Sequence, residues 1–388
     1  MTSAMSLSNI ANLYVKQVKQ MSDGSYLIFS AYNKVSEDKN YVGYFRLSSD
    51  MQQIEQVMCT DLNGDYVEMN GTGTLLNDGD NHLSDCYDWH INISGKKVIC
   101  SEYGDRNDLG RVFYSENAGK TFKEIFRLRN HLQDGVDNEV VTQAHVHGVM
   151  IDDFDGRLFV IGGENNSNIF YSDKGLNTTD DSWTCIVIRN QLQLRHTRYT
   201  QVVNGMPFEN CILFGSDNEG FGGLYRLNKV EDKKYSDLEI GFECKPYVLF
   251  TTSYCAASMQ KKDANIPALM CFTRENHGLT TEQNEDLNQS HYGRVVASID
   301  GYQFAEVWKD NTYGVHEIYN ESTGALENRN FAYCTREMNA YVCKNGDVYI
   351  KNAGRDFVYL GYEGYVKGYG DFSARVYKIP NGAKLISL

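Results

Sequence analysis

The chain has 388 residues, of which 41% are hydrophobic and 23% are charged, with 34 Gly, 4 Pro and 10 Cys. The 37 Lys and Arg against 51 Asp and Glu give a net charge of −14, which argues against general nucleic-acid binding, because phosphates require a surplus of cations. No apolar run of about 18 residues occurs, so we expect no membrane insertion. The opening segment MTSAMSLSNIANLYVKQVKQ has no early cation followed by an apolar stretch. We therefore expect a protein made in the cytoplasm without a signal peptide.

The ten cysteines do not suggest a metal ribbon or a redox motif, since no two of them are spaced C-x-x-C. Several lie inside apolar runs, as in NCILF around Cys211 and LMCF around Cys271. We expect most of them to be reduced thiols that pack as small hydrophobic side chains.

Short apolar runs bounded by Gly, Asn and Asp recur along the chain and predict strands. In chain order they are SYLIFSAY, KKVICSEY, GRLFVIGG, NCILFGSD, PALMCFTR and GDVYIKN. The abundance of Tyr and Phe, 27 and 18 residues, also favours strands. No apolar period of 3.6 is sustained, and only residues 123–138 suggest a helical turn. The sequence predicts an all-β protein.

A second set of strands follows the first and shows an internal repeat. Its apolar centres lie about 55 to 71 residues apart, at Tyr44, Phe113, Phe170, Tyr225 and Val296. That spacing holds about four short strands, the size of a propeller blade. We therefore predict one β-propeller domain over residues 1–388 with six four-stranded blades, or five with a terminal extension. The predicted blades are 12–84, 85–140, 141–191, 192–251, 252–328 and 329–388.

Three predicted turns share a Ser, a following acid or amide, a Gly and an aromatic residue. Their members are Ser115, Asn117, Gly119 and Phe122; Ser172, Asp173, Gly175 and Trp183; and Ser298, Asp300, Gly301 and Phe304. The pattern resembles the Asp-box, Ser-x-Asp-x-Gly-x-Thr-Trp, although the first copy has Asn and Phe, the second has an insertion and the third is one residue shorter. The polar side chain is expected to bond its own turn, and the Gly to take a positive φ.

The resemblance is to sialidase-like Asp-box (BNR) β-propellers and covers roughly residues 20 to 350. It implies the fold and a structural role for the turns, which face away from the sugar-binding mouth of such proteins. The family's catalytic residues are not carried over, because the nearest string to its first arginine motif, Phe45-Arg46-Leu47-Ser48, lacks the proline. Asp-box propellers also occur in phage receptor-binding proteins, which this chain is similar to at the level of fold.

Propeller topology predicts that first-strand starts and second-strand ends meet at one mouth of the channel. The candidate ligand-binding residues there are His90, Glu102, His145, His147, Glu164, Arg195, His196, Arg198, Asp217 and Glu275. An acid recurs at the second-strand end in four successive units. These acids either bind hydroxyl-rich ligands, or bond the turn backbone or a His or Arg of an adjacent blade.

His145 and His147 project to the same side of a strand and are weak metal candidates, with Glu164 as a possible third ligand. The alternative is a pair of histidines satisfied between blades, so we predict no metal and no cofactor. The cations Arg195, His196 and Arg198 bind an anionic sugar or phosphate group, or else neutralise nearby acids.

Three functions remain open from the sequence. The first is a non-catalytic propeller that binds a glycan or cell-surface polymer, as a tail or fibre component of a phage virion that acts outside the cell. The second is a glycoside hydrolase or lyase that uses the rim carboxylates. The third is a structural assembly protein in contact with other virion proteins.

Overall fold

The computed structural model describes most of the chain and consists mainly of strands. The described residues are 10–34, 39–72, 90–103, 110–131, 145–162, 168–187, 202–219, 223–230, 234–235, 239–243, 250–252, 268–272, 294–309, 314–320, 325–342, 347–359, 366–368 and 373–380. The chain divides into two compact units, Met1–Arg189 and Asn190–Leu388. Each unit contains three sheets.

The first sheet of the first unit is an antiparallel meander whose last strand is short. Its strands are β1 Ile10–Gln20, β2 Tyr26–Lys34, β3 Lys39–Leu47 and β4 Ile54–Gln56. The next strands form a hairpin, β5 Met58–Thr60 and β6 Tyr66–Glu68, and β7 Asn70–Thr72 returns to pair with β3. The hairpin does not join the first sheet. It pairs in parallel with the outer strand of the second sheet. The backbone groups of that outer strand are therefore hydrogen-bonded and not left exposed at the edge of the sheet.

The second and third sheets are also meanders. The second contains β8 Ile91–Ser94, β9 Lys97–Ser101, β10 Arg111–Ser115 and β11 Phe122–Arg127. The third contains β12 Val146–Ile151, β13 Leu158–Gly162, β14 Asn168–Ser172 and β15 Thr184–Val187. Among the described residues, helical segments are 3-10 turns at Leu128–His131, Gly175–Asn177 and Asp180–Ser182. The first of these lies within residues 123–138, where the sequence suggested a helical turn.

Period-two alternation in the second sheet supplies both of its neighbours with core residues. Along β9, Val98 and Cys100 pack against the first sheet, whereas Ile99 packs against the third. Along β10, Phe113 faces the first sheet and Tyr114 the third. The second sheet is therefore buried on both faces between the other two, which explains its short continuous apolar runs.

The second unit repeats this arrangement with longer strands. The fourth sheet contains β16 Val202–Pro207, β17 Cys211–Glu219, β18 Gly223–Val230, β19 Lys234–Tyr235, β20 Glu239–Glu243 and β21 Phe250–Thr252. The fifth contains β22 Ala268–Phe272, β23 Arg294–Ser298 and β24 Ala305–Lys309. The sixth contains β25 Gly314–Asn320, β26 Ala325–Val342, β27 Val348–Tyr359, β28 Val366–Gly368 and β29 Ser373–Ile379.

The fifth sheet takes the central position in the second unit. Ala268 and Met270 of β22 pack on the fourth sheet, and Leu269 between them packs on the sixth. Successive residues of β22 thus belong to cores on opposite faces of the fifth sheet. This again shows that successive sheets pack face to face.

Parts of the predicted organisation agree with these strands. All four strands predicted for the third repeat are present, in the order β12-β13-β14-β15. Two predicted boundaries, 251/252 and 328/329, fall inside β21 and β26. The sheets cross these boundaries because β21 pairs back with β17 of the fourth sheet, and because β25 and β26 form a hairpin at the edge of the sixth. In the part of the chain that is described, no helix is long and apolar enough to cross a membrane.

Candidate functional site

The first Asp-box-like turn connects β10 to β11 and is closed by its own side chains. Ser115 Oγ accepts from the Gly119 amide (3.1 Å), and Asn117 Oδ1 accepts from the amides of Lys120 (3.1 Å) and Thr121 (3.0 Å). Gly119 has φ +71°. Asn117 thus provides the acceptor oxygen that Asp provides in the Asp-box pattern.

The other two copies lie at the equivalent position, between the last two strands of the third and fifth sheets. Ser172 Oγ accepts from the Lys174 amide (3.3 Å), and Gly175 has φ +53°. Ser298 Oγ accepts from the Gly301 amide (2.9 Å), and Asp300 Oδ1 from the amides of residues 302 and 303, both at 2.8 Å. Asp173 differs from its counterparts, because it is exposed and lies 3.5 Å from Lys174 Nζ. Phe304 packs against the core between the fourth and fifth sheets.

A fourth turn of this kind, missed from the sequence, connects β3 to β4. Ser48 Oγ donates to Asp50 Oδ1 and accepts from the amides of residues 52 (3.2 Å) and 53 (2.9 Å). Met51 has φ +60°, as Ala118 has φ +58° in the first turn. Glycine is absent here, and that is why the pattern was not recognised. The Ser-x-Asp after an apolar strand is the signal that was present.

The three recognised turns bind the preceding sheet in each case. Lys120 Nζ lies 3.7 Å from Asp23 Oδ2 of the first sheet. Trp183 Nε1 donates to the Ile125 carbonyl of the second sheet (2.9 Å). Tyr302 donates its hydroxyl proton to Asn228 Oδ1 of the fourth sheet (2.9 Å). The turns therefore act as clasps between neighbouring sheets.

The clasp on the second sheet is the most polar. Asp180 accepts from the Arg127 amide (2.9 Å), from Asn130 Nδ2 (2.6 Å) and from the ring nitrogen Nε2 of His131 (3.1 Å). Burial raises the pKa of Asp180, but these hydrogen bonds outweigh burial and the pKa is lowered overall. The carboxylate is thus held ionised at the sheet edge.

Strand register places the other predicted site residues away from the turns. In the second sheet Ile91 pairs with Cys100 and Ser115 with Val98, so His90 and Glu102 lie at the end opposite Ser115. In the third sheet Val146 pairs with Gly162 and Leu158 with Ser172, so His145 lies opposite that turn. We call this end, which carries His90, Glu102, Tyr103, His145 and His147, the histidine end. The opposite end is the turn end.

At the histidine end, three imidazoles and a phenol pack between the second and third sheets. The His145 ring stacks on Tyr103, with centroids 4.1 Å apart and planes at 21°. The His145 and His147 centroids are 4.5 Å apart, and His90 meets Tyr103 edge-on at 5.7 Å. His90, His145 and His147 are 0%, 7% and 4% exposed. Tyr103 was not among the predicted residues, although the SEY string that follows β9 contains it.

His90 links the two sheets directly. Its Nε2–H donates to the Val146 carbonyl at 3.0 Å, and the Val146 amide donates to the Tyr103 carbonyl at 2.7 Å. The pKa of His90 is lowered to about 3, chiefly by burial and also by the nearby His147, against the hydrogen bond to Val146, which raises it. His90, predicted to lie at the ligand-binding rim, thus bridges two sheets through its ring.

Glu102 is held by a cation of its own sheet. Arg111 Nε donates to Glu102 Oε2 at 2.8 Å, and Arg111 Nη2 donates to Oε1. The two side chains are 11% and 18% exposed, Glu102 being the less exposed. Burial lowers the pKa of Arg111, but the ion pair outweighs burial and raises it above its usual range. Glu102 thus pairs with an Arg of its own sheet, which is neither the turn backbone nor a side chain of an adjacent predicted blade.

The remaining rim predictions are not brought into a site by the structure. Glu164, Arg195, His196, Arg198 and Glu275 lie outside the described residues. Asp217 lies on β17, where it pairs with Thr252. Within the described ranges, no group of three His, Cys, Asp or Glu side chains is arranged to hold a metal ion.

Arg46, the residue nearest to the sialidase arginine motif, lies on β3, the third strand of its sheet. Its Nη2 donates to Asp23 Oδ2 at 2.6 Å. This ion pair joins β3 to the turn between β1 and β2.

No protein-family model matches the chain, and no curated protein matches it in sequence. Solved structures similar to it include the β-propeller domain of the Trilobed protease from Pyrococcus furiosus, at 8% identity and TM-score 0.42, covering 94% of this chain and 97% of that one. Another is the β-propeller domain of Cps50 from Myceliophteria thermophila, at 9% identity and TM-score 0.40, covering 95% and 88%. A third is the GH93 α-L-arabinofuranosidase of Fusarium graminearum in complex with arabinobiose, at 11% identity and TM-score 0.39, covering 97% and 95%. Similarity at this level carries no argument about ligand or reaction.

Proposed function

We propose that the chain is a sialidase-like Asp-box β-propeller whose six sheets are its blades, and that it binds carbohydrate at the histidine end without turnover. The six sheets follow one another in chain order, and successive sheets pack face to face within each unit. Asp-box-like turns connect the last two strands of three sheets. These features support the fold part of the proposal.

The binding part is supported by one observation: Tyr103 and His145 stack at the histidine end, the same end of the second sheet that carries the Glu102–Arg111 ion pair. Sugar sites combine aromatic rings with a few fixed polar groups that take the hydroxyls. Here the aromatic and charged groups lie at strand ends, where packing of the two sheets holds their backbone.

The same geometry favours binding over hydrolysis. Hydrolysis of a glycosidic bond uses two carboxyl groups on opposite sides of the bond, one of them an acid. Both oxygens of Glu102 accept from Arg111, so this carboxylate is engaged as an ion-pair partner. A hydrolase or lyase is therefore retained as an outcome of the test.

The biological setting that we propose is a virion, where the chain would be a tail or fibre component that contacts other virion proteins. This rests on the Asp-box resemblance to propellers of phage receptor-binding proteins. The identity of neighbouring genes tests it, since tail or capsid genes beside this one are expected and their absence would count against the setting.

Binding is tested by presenting the protein to immobilised bacterial surface polysaccharides and a glycan panel at pH 7.5. Tyr103→Ala removes the ring that stacks on His145 and should weaken binding of any recognised glycan by tenfold or more. The matched control is Tyr66→Ala, because Tyr66 is 56% exposed and lies on β6, away from the cluster. It should bind as the unchanged protein does.

Three results would overturn the proposal. If no glycan binds, or if Tyr66→Ala weakens binding as much as Tyr103→Ala, the histidine end is not the carbohydrate site. Turnover of chromogenic glycosides that is lost in Glu102→Gln would replace binding with hydrolysis.

A further inference from the structure

We propose that Asn63 is a site of spontaneous hydrolytic modification, at which its side-chain amide is converted to aspartate or isoaspartate. The site is the Asn63–Gly64 pair in the turn of the β5–β6 hairpin. The inference goes beyond the proposed function, because it involves neither a glycan nor the histidine end.

The reaction uses only the residue after Asn63 and water. The Gly64 amide nitrogen attacks Asn63 Cγ and ammonia leaves, which closes a succinimide ring. Water then adds to one of the two ring carbonyls and opens the ring, to aspartate at one carbonyl or to isoaspartate at the other. Glycine favours ring closure, because it has no Cβ atom to obstruct the approach of its nitrogen.

Five Asn-Gly pairs occur in the sequence, and the structure places three of them differently. Their asparagines are Asn63, Asn70, Asn204, Asn345 and Asn381. The last two lie outside the described residues. Asn70 lies on β7, paired with Gly43 of β3, and Asn204 lies on β16, paired with Gly215 of β17. Among the three described pairs, Asn63–Gly64 is the one that lies in a turn between strands.

Exposure separates the turn from the strand positions. Asn63 and Gly64 are both exposed to solvent, whereas Asn204 is only 5% exposed. Next to Asn70, Met69 is 1% exposed and belongs to the core between the first and second sheets. Ring closure needs hydroxide to remove the amide proton and ring opening needs water, so solvent reaches the reacting atoms at Asn63 most directly.

The hydrogen bonds that must open at Asn63 are local. The Gly64 amide donates to the Asp61 carbonyl at 3.0 Å, and Asp61 Oδ1 accepts from the amides of Asn63 (2.9 Å) and Asp65 (2.8 Å). All of these bonds lie within residues 61–65. Freeing the Gly64 nitrogen therefore requires opening of one exposed turn. Reaction at Asn204 requires opening of a buried strand, which is much less frequent.

The modification changes the charge of the turn. Asn63 Nδ2 donates to Asp61 Oδ2 at 3.4 Å. The product replaces this donor with a carboxylate close to Asp61 and Asp65, and like charges at such short range repel each other. Because the hairpin pairs with the outer strand of the second sheet, the modification is expected to weaken that pairing.

Ageing of the folded protein at pH 8.5 and 37 °C tests the proposal, with digestion at low pH and fragmentation mass spectrometry to locate each modified residue. Modification at Asn63 should be about 100-fold faster than at Asn204 and about tenfold or more faster than at Asn70. The matched control is the same protein unfolded in guanidinium chloride. There the three sites should react at rates within about threefold of one another, because no fold protects any of them.

Two variants identify the reaction. Gly64→Ala should slow modification at Asn63 by about tenfold or more and leave Asn70 unchanged, since the added Cβ obstructs the attacking nitrogen. Asn63→Asp should elute from an anion-exchange column with the fraction that accumulates on ageing, because both have one additional negative charge.

Equal rates at Asn63 and Asn204 in the folded protein would overturn the proposal. So would an intact Asn63 at a time when the guanidinium sample is fully converted. Neither result concerns the carbohydrate site, which the Tyr103→Ala variant tests separately.

Discussion

Replacing Gly301 by Ala is the sharpest test of the third Asp-box-like turn as a clasp. Gly301 has φ +80°, and a Cβ atom at this position would lie 2.4 Å from Cys211 Sγ and 3.1 Å from Phe208 Cδ2. Cys211 and Phe208 belong to the core between the fourth and fifth sheets. The change therefore combines backbone strain with a collision against a packed core.

The two contributions can be estimated separately. A non-glycine residue in the left-handed region costs about 1–2 kcal/mol. Overpacking of a core by one carbon costs about 1–3 kcal/mol. The sum predicts a loss of about 2–5 kcal/mol, which lowers the urea midpoint of the second unit by about 1–2 M for a slope of about 2–3 kcal/mol/M.

A second change separates the two effects. Cys211→Ala removes the colliding sulfur, so Gly301→Ala in that background should retain only the backbone strain. The double variant should then be more stable than the sum of the single changes predicts, by about 1–3 kcal/mol. Gly64→Ala is the matched control for strain alone, because Gly64 has φ +88° and nothing lies within 4 Å of the added carbon.

Urea unfolding followed by circular dichroism provides all four free energies. If Gly301→Ala costs no more than Gly64→Ala, the turn does not press on the fourth sheet. If Cys211→Ala gives no relief, the collision lies elsewhere and the reasoning from this contact is wrong.

Three further predictions concern the first unit. Met51→Gly should stabilise it by about 0.5–1 kcal/mol in thermal unfolding, because Met51 is 61% exposed and has φ +60°; a loss of stability would contradict the strain. Asp180→Asn should lower the free energy of unfolding by about 1–2 kcal/mol at pH 7. The difference in stability between the variant and the unchanged protein should vanish as pH falls through the lowered pKa of Asp180, because the paired carboxylate stabilises only when it is ionised. A constant difference in urea unfolding down to pH 2 would refute this. A thiol reagent at pH 7.5 should label exposed Cys185 before buried Cys59, whose pKa burial raises to about 12, and mass spectrometry that finds Cys59 labelled first would contradict it.

The strands and turns could be predicted from the sequence because both depend on neighbours along the chain. The Ser115 turn is closed by hydrogen bonds that span at most four residues, so its pattern is visible in eight letters. The Ser48 turn makes similar bonds but places Met51 where the first turn has Ala118, and a search for glycine passes over it. Local hydrogen bonds define both turns. The Ser48 turn was missed because the pattern used for the search required a glycine.

Pairings between distant segments could not be predicted in the same way. The β5–β6 hairpin follows the first sheet in the chain but pairs with β11 of the second, Cys59 lying beside Phe122. Nothing in residues 58–68 specifies that partner, because any exposed strand edge offers the same backbone groups. The pairing of β21 with β17, which crosses a predicted boundary, is of the same kind.

The residues of the candidate site show the same division. Their position at one end of two sheets follows from the alternation of turns, and topology alone was enough to place His90 and Glu102 opposite Ser115. Their partners do not follow from topology: Glu102 bonds Arg111, nine residues on, and His90 bonds Val146, 56 residues on. A recurring acid or imidazole therefore locates an end of a sheet, whereas its chemistry depends on the partner that strand pairing or sheet packing brings to it.

The recurrence of the turns has a physical cause that is separate from ligand binding. Each of the three recognised turns bonds the sheet before it, through Asp23 in one case, the Ile125 carbonyl in another and Asn228 in the third. A stack of similar sheets needs such a contact at every interface, so the same short pattern is useful repeatedly. Among the described residues, the stacked rings of the histidine end form no such repeat: they join the second sheet to the third, whereas the first sheet is joined to this end by the hydrogen bond from the Tyr44 hydroxyl to the Ser101 carbonyl. Specific function is expected where the repeat is broken, and this is why we place it at the histidine end rather than at the turns.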